Sequence, residues 1–155
     1  MSDPLSILAS VITVAGAAIT ISDSILSLLS QLRNAPDEVI FVQNDVTDTR
    51  LVLSNIKANS AEDRTLDRRL ALPDANATYG DPENILKAEL LIKRMERILL
   101  DIDLSLRKMT KSRSQNGITL HQRAWFLNRS KLRLWRQELR ELKTSVAVHF
   151  SASSR

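Results

Sequence analysis

The sequence predicts an all-α domain, an antiparallel four-helix bundle with a long loop between its second and third helices. Three observations carry that expectation. The 155 residues include only three glycines and four prolines, too few for the many turns of a stranded fold. Four long stretches place apolar residues at alternating steps of three and four, the period of an amphipathic helix. Three of the four prolines, Pro4, Pro36 and Pro82, stand beside an aspartate where a helix would begin. At 43% hydrophobic and 26% charged residues, with no cysteine, composition excludes a disordered chain and a disulfide scaffold and suits a reduced, cytoplasmic setting. The length suits one domain over 1–155 with its own core.

Helix 1 is expected over about 4–32, opened by the Asp3 cap and Pro4 and stopped by Asn34-Ala35-Pro36. One apolar stripe runs through Ile7, Val11, Val14, Ala18, Ile21, Ile25, Leu28 and Leu32, and a second through Leu8, Ile12, Ala15, Ile19, Leu26 and Leu29. The remaining side is small and hydroxylated, with Ser6, Ser10, Thr13, Ala17, Thr20, Ser24 and Ser27. Two adjacent stripes call for a wholly buried helix near the centre of the bundle. The ladders Ala9, Thr13, Ala17 and Gly16, Thr20, Ser24 would allow a second helix to approach closely.

Helix 2 is expected over about 37–58 with Val39, Val42, Val46, Thr49, Leu53 and Ile56 turned inward. Residues 59–81 hold charge clusters, Pro73 and Gly80 and little periodicity, so they read as a loop with one helical turn near Leu66 to Leu72. Helix 3, about 82–111, has the cleanest stripe: Ile85, Ala88, Ile92, Met95, Leu99, Ile102, Leu106 and Met109. The polar turn Lys111 to Gly117 is short enough to bring helix 4, about 119–150, back antiparallel to helix 3. Helix 4 carries Trp125, Leu132, Trp135, Leu139, Leu142 and Val146 on one side and Arg123, Arg129, Lys131, Arg133, Arg136, Arg140 and Lys143 on the other. The two tryptophans fall on or near the apolar stripe and read as core.

Net charge is +4 and unevenly placed. Residues 1–32 carry only Asp3 and Asp23, whereas 113–155 hold nine basic residues against Glu138 and Glu141. A basic helix face is ordinarily a solvated surface. Its functional readings are contact with anionic lipid or with nucleic acid, through Arg129, Arg133, Arg136 and Arg140. From Pro4 to Ser22 there are 19 residues without a charge, spanning about 28 Å as a helix, close to the hydrocarbon thickness of a bilayer. A secretory signal would start with basic residues, and none precedes Arg33, so that reading is rejected. Five hydroxyl side chains also make the stretch less apolar than a constitutive span, which leaves conditional insertion.

Chemistry of other kinds finds little foothold. With no cysteine and two histidines, His121 and His149, 28 positions apart, no metal centre and no histidine catalysis is expected. The isolated glycines build no phosphate loop, so no cofactor is expected either, and the chain does not read as an enzyme.

The opening Met1-Ser2-Asp3-Pro4-Leu5-Ser6-Ile7-Leu8-Ala9-Ser10-Val11-Ile12, followed by Ala15-Gly16, resembles the module that precedes the nucleotide-binding domain of many fungal NOD-like receptors, a HeLo-like or PigL-N-like domain. Pro36-Asp37-Glu38-Val39 with Leu51-Val52-Leu53 is similar to that family's second helix, and Trp125 with Leu132, Leu139 and Leu142 to its last. The resemblance implies a bundle that oligomerises, with itself or on a receptor scaffold, and permeabilises membranes through its first helix in regulated cell death. Carried over residue by residue, the membrane-insertion or oligomerisation element would be Leu5, Ile7, Leu8, Val11, Ile12, Val14, Ile19 and Ile21, with Gly16 and Ala17 on the close-packing side. On this reading the chain is a domain of a longer receptor or a stand-alone relative, cytoplasmic until activation takes it to an anionic membrane. The rivals are a helical adaptor, homotypic or partner-binding, without membrane activity, and nucleic-acid binding through helix 4, the least favoured partner class.

Overall fold

The computed structural model of the chain describes residues 4–33, 35–70, 82–114 and 117–153, with side chains over 6–33, 35–61, 83–110 and 118–150. Four long helices form the architecture: α1 (Pro4–Ser30), α2 (Glu38–Leu70), α3 (Pro82–Met109) and α4 (Gln122–Ser153), with a short hairpin of β1 (Thr110–Ser114) and β2 (Gly117–Leu120) between the last two. The fold is the expected all-α four-helix bundle, alternating in direction along the chain. The Asp3 and Asp81 caps, the Leu5 side chain and residues 71–81 lie outside what the structure describes.

The periodic stripes become the core. All six inward residues expected on α2 and all eight on α3 are buried, as are Trp125, Leu132, Leu139, Leu142 and Val146 of α4. Trp135 is partly buried against the same cluster. Each stripe alone would expose its apolar area to water, and at about 25 cal/mol per Å² that exposure is what the four-way packing removes.

The expected central position of α1 is not what the structure shows. α1 packs on α2 and α3, while α4 packs on α3 and α2. Four helices of similar length close into a square with no central place, so α1 takes a corner diagonal to α4. Its first stripe buries Ile7, Val11, Ala18, Ile25 and Leu28, but Ile12, Val14, Ile19, Ile21 and Leu26 are half-buried and Ser6, Thr13, Ala17, Thr20 and Ser27 face solvent. A wholly buried helix is thus corrected to one with a buried face.

Side-chain pairings give the directions. Asp23 accepts from Arg50, and Arg94 reaches Glu138 at 4.0 Å; these contacts suit antiparallel α1/α2 and α3/α4 pairs. Ser10 meets Glu89 and Ser24 meets Asp103, both at a separation of 79 positions, so α1 and α3 run parallel. Glu38, Asp45 and Asp48 meet Arg133, Arg136 and Lys143 in rising order, so α2 and α4 are parallel as well.

Two boundaries differ from expectation. α2 continues as helix to Leu70 rather than ending near Ala58, because Ala58, Ala61, Glu62, Arg64, Leu66, Arg68 and Arg69 favour helix individually although they form no stripe. The polar turn after α3 is organised as a hairpin, with Thr110 opposite Leu120, Lys111 opposite Thr119 and Ser114 opposite Gly117. His121 closes the hairpin by donating its N–H to Met109 O at 2.7 Å, and its Nδ1 accepts from Ala124 N at 3.3 Å, a cap for α4. Leu32 bridges Ile118, and Arg33 N donates to Ile118 O at 3.3 Å, tying the end of α1 to this hairpin.

Candidate functional site

α1 is the first candidate, and its placement sorts the residues singled out from sequence. Ile7, Leu8 and Val11 lie in the core; Ile12, Val14, Gly16, Ile19 and Ile21 are half-buried; Ala17 is exposed. Over Ser6–Ser30 the helix has a mean hydropathy of 1.8, long and apolar enough to cross a membrane, with a third of that stretch buried in the bundle. Three hydroxyls of its uncharged stretch are turned back on the helix. Thr13 donates to Ala9 O, Thr20 to Gly16 O and Ser22 to Ala18 O, each at 2.9 to 3.0 Å.

The small-residue ladder is not used as a close-packing face within the bundle. A Cβ placed on Gly16 would lie 3.6 Å from Lys57 Nζ, the mobile tip of a long side chain and not a neighbouring backbone. Thr13, Ala17 and Thr20 meet water.

The polar contacts of α1 go to α3 and α2. Ser10 donates to Glu89, which also receives Lys93 at 3.3 Å. Ser24 donates to Asp103 Oδ1 at 3.2 Å; Arg107 donates to Ser24 Oγ at 2.6 Å and to Asp103 Oδ2 at 3.1 Å. Both carboxylates are buried, Glu89 at 6% and Asp103 at 8% exposure. Glu89 and Asp103 lie off the apolar stripe of α3, and sequence reasoning missed this pair. The available signal was the shared spacing of fourteen between Ser10 and Ser24 and between Glu89 and Asp103.

The arginines of α4 form the second candidate, and the structure brings them together along one seam. Arg133 donates to Glu38 at 2.8 Å, and Arg129 stands 4.0 Å from the same carboxylate. Arg136 donates to Asp45 at 2.6 Å, with Arg140 at 4.0 Å, and Lys143 lies 3.9 Å from Asp48. Arg129 also stacks over Phe126 and Arg136 over Phe41, at 4.6 and 5.3 Å from the ring centres. The basic face therefore spends its charge on α2. On the described part of α4, Arg123 and Lys131 are the basic residues with no ion-pair partner.

Beside this seam an open groove of about 600 Å³ runs between α2 and α4, lined by Leu51, Val52, Ala147 and Val148 with Asp48 and Lys143 at its polar edge. No protein-family model, curated protein or solved structure matches the chain. The site must therefore be read from its own chemistry. Among the described residues no three of His, Cys, Asp and Glu cluster as metal ligands. α3 also shows a row of leucines to solvent, Leu86, Leu90, Leu100 and Leu104.

Proposed function

We propose that the chain is a HeLo-like signalling and effector domain, of a fungal NOD-like receptor or a stand-alone relative. In this reading it stores α1 in a soluble bundle and, once oligomerised, presents it to a membrane in regulated cell death. The resemblance of the opening twelve residues and of the α2 and α4 segments supports the family. The observation that carries the mechanism is the character of α1: a corner helix without charge from Pro4 to Ser22, with three of its hydroxyls already bonded to its own carbonyls. A core helix of a soluble bundle has similar length and hydropathy. What sets α1 apart is that inserting its Pro4–Ser22 segment, short of Asp23, transfers neither a charge nor those three hydroxyls unpaired into hydrocarbon. The reading places the domain in the cytoplasm at rest, needs no cofactor and assigns no catalysis.

Leakage from dye-loaded liposomes tests it. Ala17→Asp is the informative variant, because Ala17 is exposed and a charge there leaves the core intact. The parent is expected to release dye and Ala17→Asp to release none, while both keep the same circular dichroism. Equal leakage from both would sink insertion through α1.

A non-enzymatic adaptor is the second reading, supported by the exposed Leu86, Leu90, Leu100 and Leu104 of α3. It predicts a stable partner complex or self-association with no lipid dependence. Binding of nucleic acid through Arg129, Arg133, Arg136 and Arg140 gains no support from their engagement with Glu38 and Asp45.

A further inference from the structure

We infer that α1 is keyed to α3 by two clasps of like composition, Ser10–Glu89–Lys93 and Ser24–Asp103–Arg107, the second closed further by Arg107 on Ser24, that fix its alignment and act as a reversible catch. Each clasp joins an α1 hydroxyl, a buried α3 carboxylate and the cation four positions further along α3. Every member of the second lies fourteen positions after its counterpart in the first. Fourteen residues are two heptads, and a helix drifts only about 20° per heptad, so both clasps share one seam.

The spacing discriminates register. The position midway between the serines is Ala17, which has no hydroxyl. Sliding α1 by seven residues in one direction sets Ala17 opposite Asp103, and in the other opposite Glu89. Either slip buries a carboxylate without its serine hydroxyl, leaving it only its α3 cation, a cost an apolar seam would not impose.

The same chemistry makes separation clean. When α1 departs, Glu89 keeps Lys93 and Asp103 keeps Arg107, and both become ordinary exposed pairs along one helix. Ser10 and Ser24 can turn to the carbonyls four residues back, as Thr13, Thr20 and Ser22 already do. Neither clasp leaves an orphaned polar group, and the Asp23–Arg50 pair between α1 and α2 parts between side chains that are already about half exposed. The clasps thus specify position strongly while adding a reversible hold.

The inference concerns the hold on α1 at rest, and only its consequence rests on the proposed membrane role. Amide hydrogen exchange on the full chain without lipid tests it, so a silent liposome assay leaves the result standing and the converse also holds. In Ser10→Ala/Ser24→Ala, protection of α1 amides is expected to fall about tenfold or more while α2, α3 and α4 keep theirs. Ser10→Thr/Ser24→Thr retains both hydroxyls and should stay near the parent. Ser10→Ala/Ala17→Ser keeps the number of hydroxyls and moves one to the wrong heptad; it should lose as much protection as Ser10→Ala alone. Unchanged α1 protection in the double alanine variant overturns the inference. So does an equal loss across all four helices, which would make the clasps general packing contacts, and so does parent-like behaviour of the moved hydroxyl.

Discussion

The α1–α3 and α2–α4 seams join helices of the same relative direction, yet opposite chemistry holds them. Between α2 and α4, five cations of α4 face Glu38, Asp45 and Asp48, so full charges of opposite sign sit on different helices. Between α1 and α3, both charged partners of each clasp belong to α3, and α1 contributes only a hydroxyl. The difference teaches where a bundle tolerates parting. Separating α2 from α4 breaks ion pairs and leaves half-buried charges alone; separating α1 from α3 leaves each charge with its own neighbour.

The largest break in this comparison is expected at Asp45. Asp45 and Arg136 are 13% and 14% exposed, and Arg140 shares the same carboxylate. Asp45→Ala should cost about 3 kcal/mol in urea unfolding, because Arg136 loses its partner in a poorly solvated place. Asp45→Leu/Arg136→Met should recover most of that loss, which distinguishes an orphaned charge from lost packing. Gly16→Ala probes the α1 side in the opposite direction. Its new Cβ would meet Lys57 Nζ at ordinary contact distance, and the helix interior should gain about 0.5–1 kcal/mol, read as a higher midpoint. Arg133→Ala should cost only about 0.5 kcal/mol, since Arg133 is more than half exposed and Arg129 remains near Glu38. The smallest effect sharpens the contrast without mutation. Raising salt from about 0.1 to about 1 M shortens screening from about 10 to about 3 Å, and exchange protection beside the exposed Arg133–Glu38 pair should fall while that beside the serine bonds to the buried Glu89 and Asp103 holds.

The sequence made the facing of each helix legible and left its neighbour illegible. Val39 to Ile56 on α2 and Ile85 to Met109 on α3 point inward as their spacing required, since a 3.6-residue period reports which side is dry. The same period says nothing about what dries it, so α1 was expected at the centre and stands at a corner. The continuation of α2 to Leu70 escaped notice because propensity without a stripe was read as loop. The arginines of α4 were visible as a face, and their acidic counterparts were present at matching heptad steps, Glu38 and Asp45 against Arg133 and Arg140. Pairing required knowing that α2 and α4 are neighbours. The clasps were hidden for the same reason: Ser10 and Ser24 look like a small polar side until Glu89 and Asp103 are set beside them.

The bridge from Leu32 to Ile118 and the bond from Arg33 N to Ile118 O give α1 a pivot. They tie the C-terminal end of the helix to the hairpin that joins α3 and α4, and Ser24 lies about 9 Å of helix from that end against about 30 Å for Ser10. A lever held at one end moves least near its support. On the proposed release, swinging α1 outward by a given angle would displace Ser10 roughly three times as far as Ser24, so the Ser10 clasp would open first and the Ser24 clasp would guide the helix home.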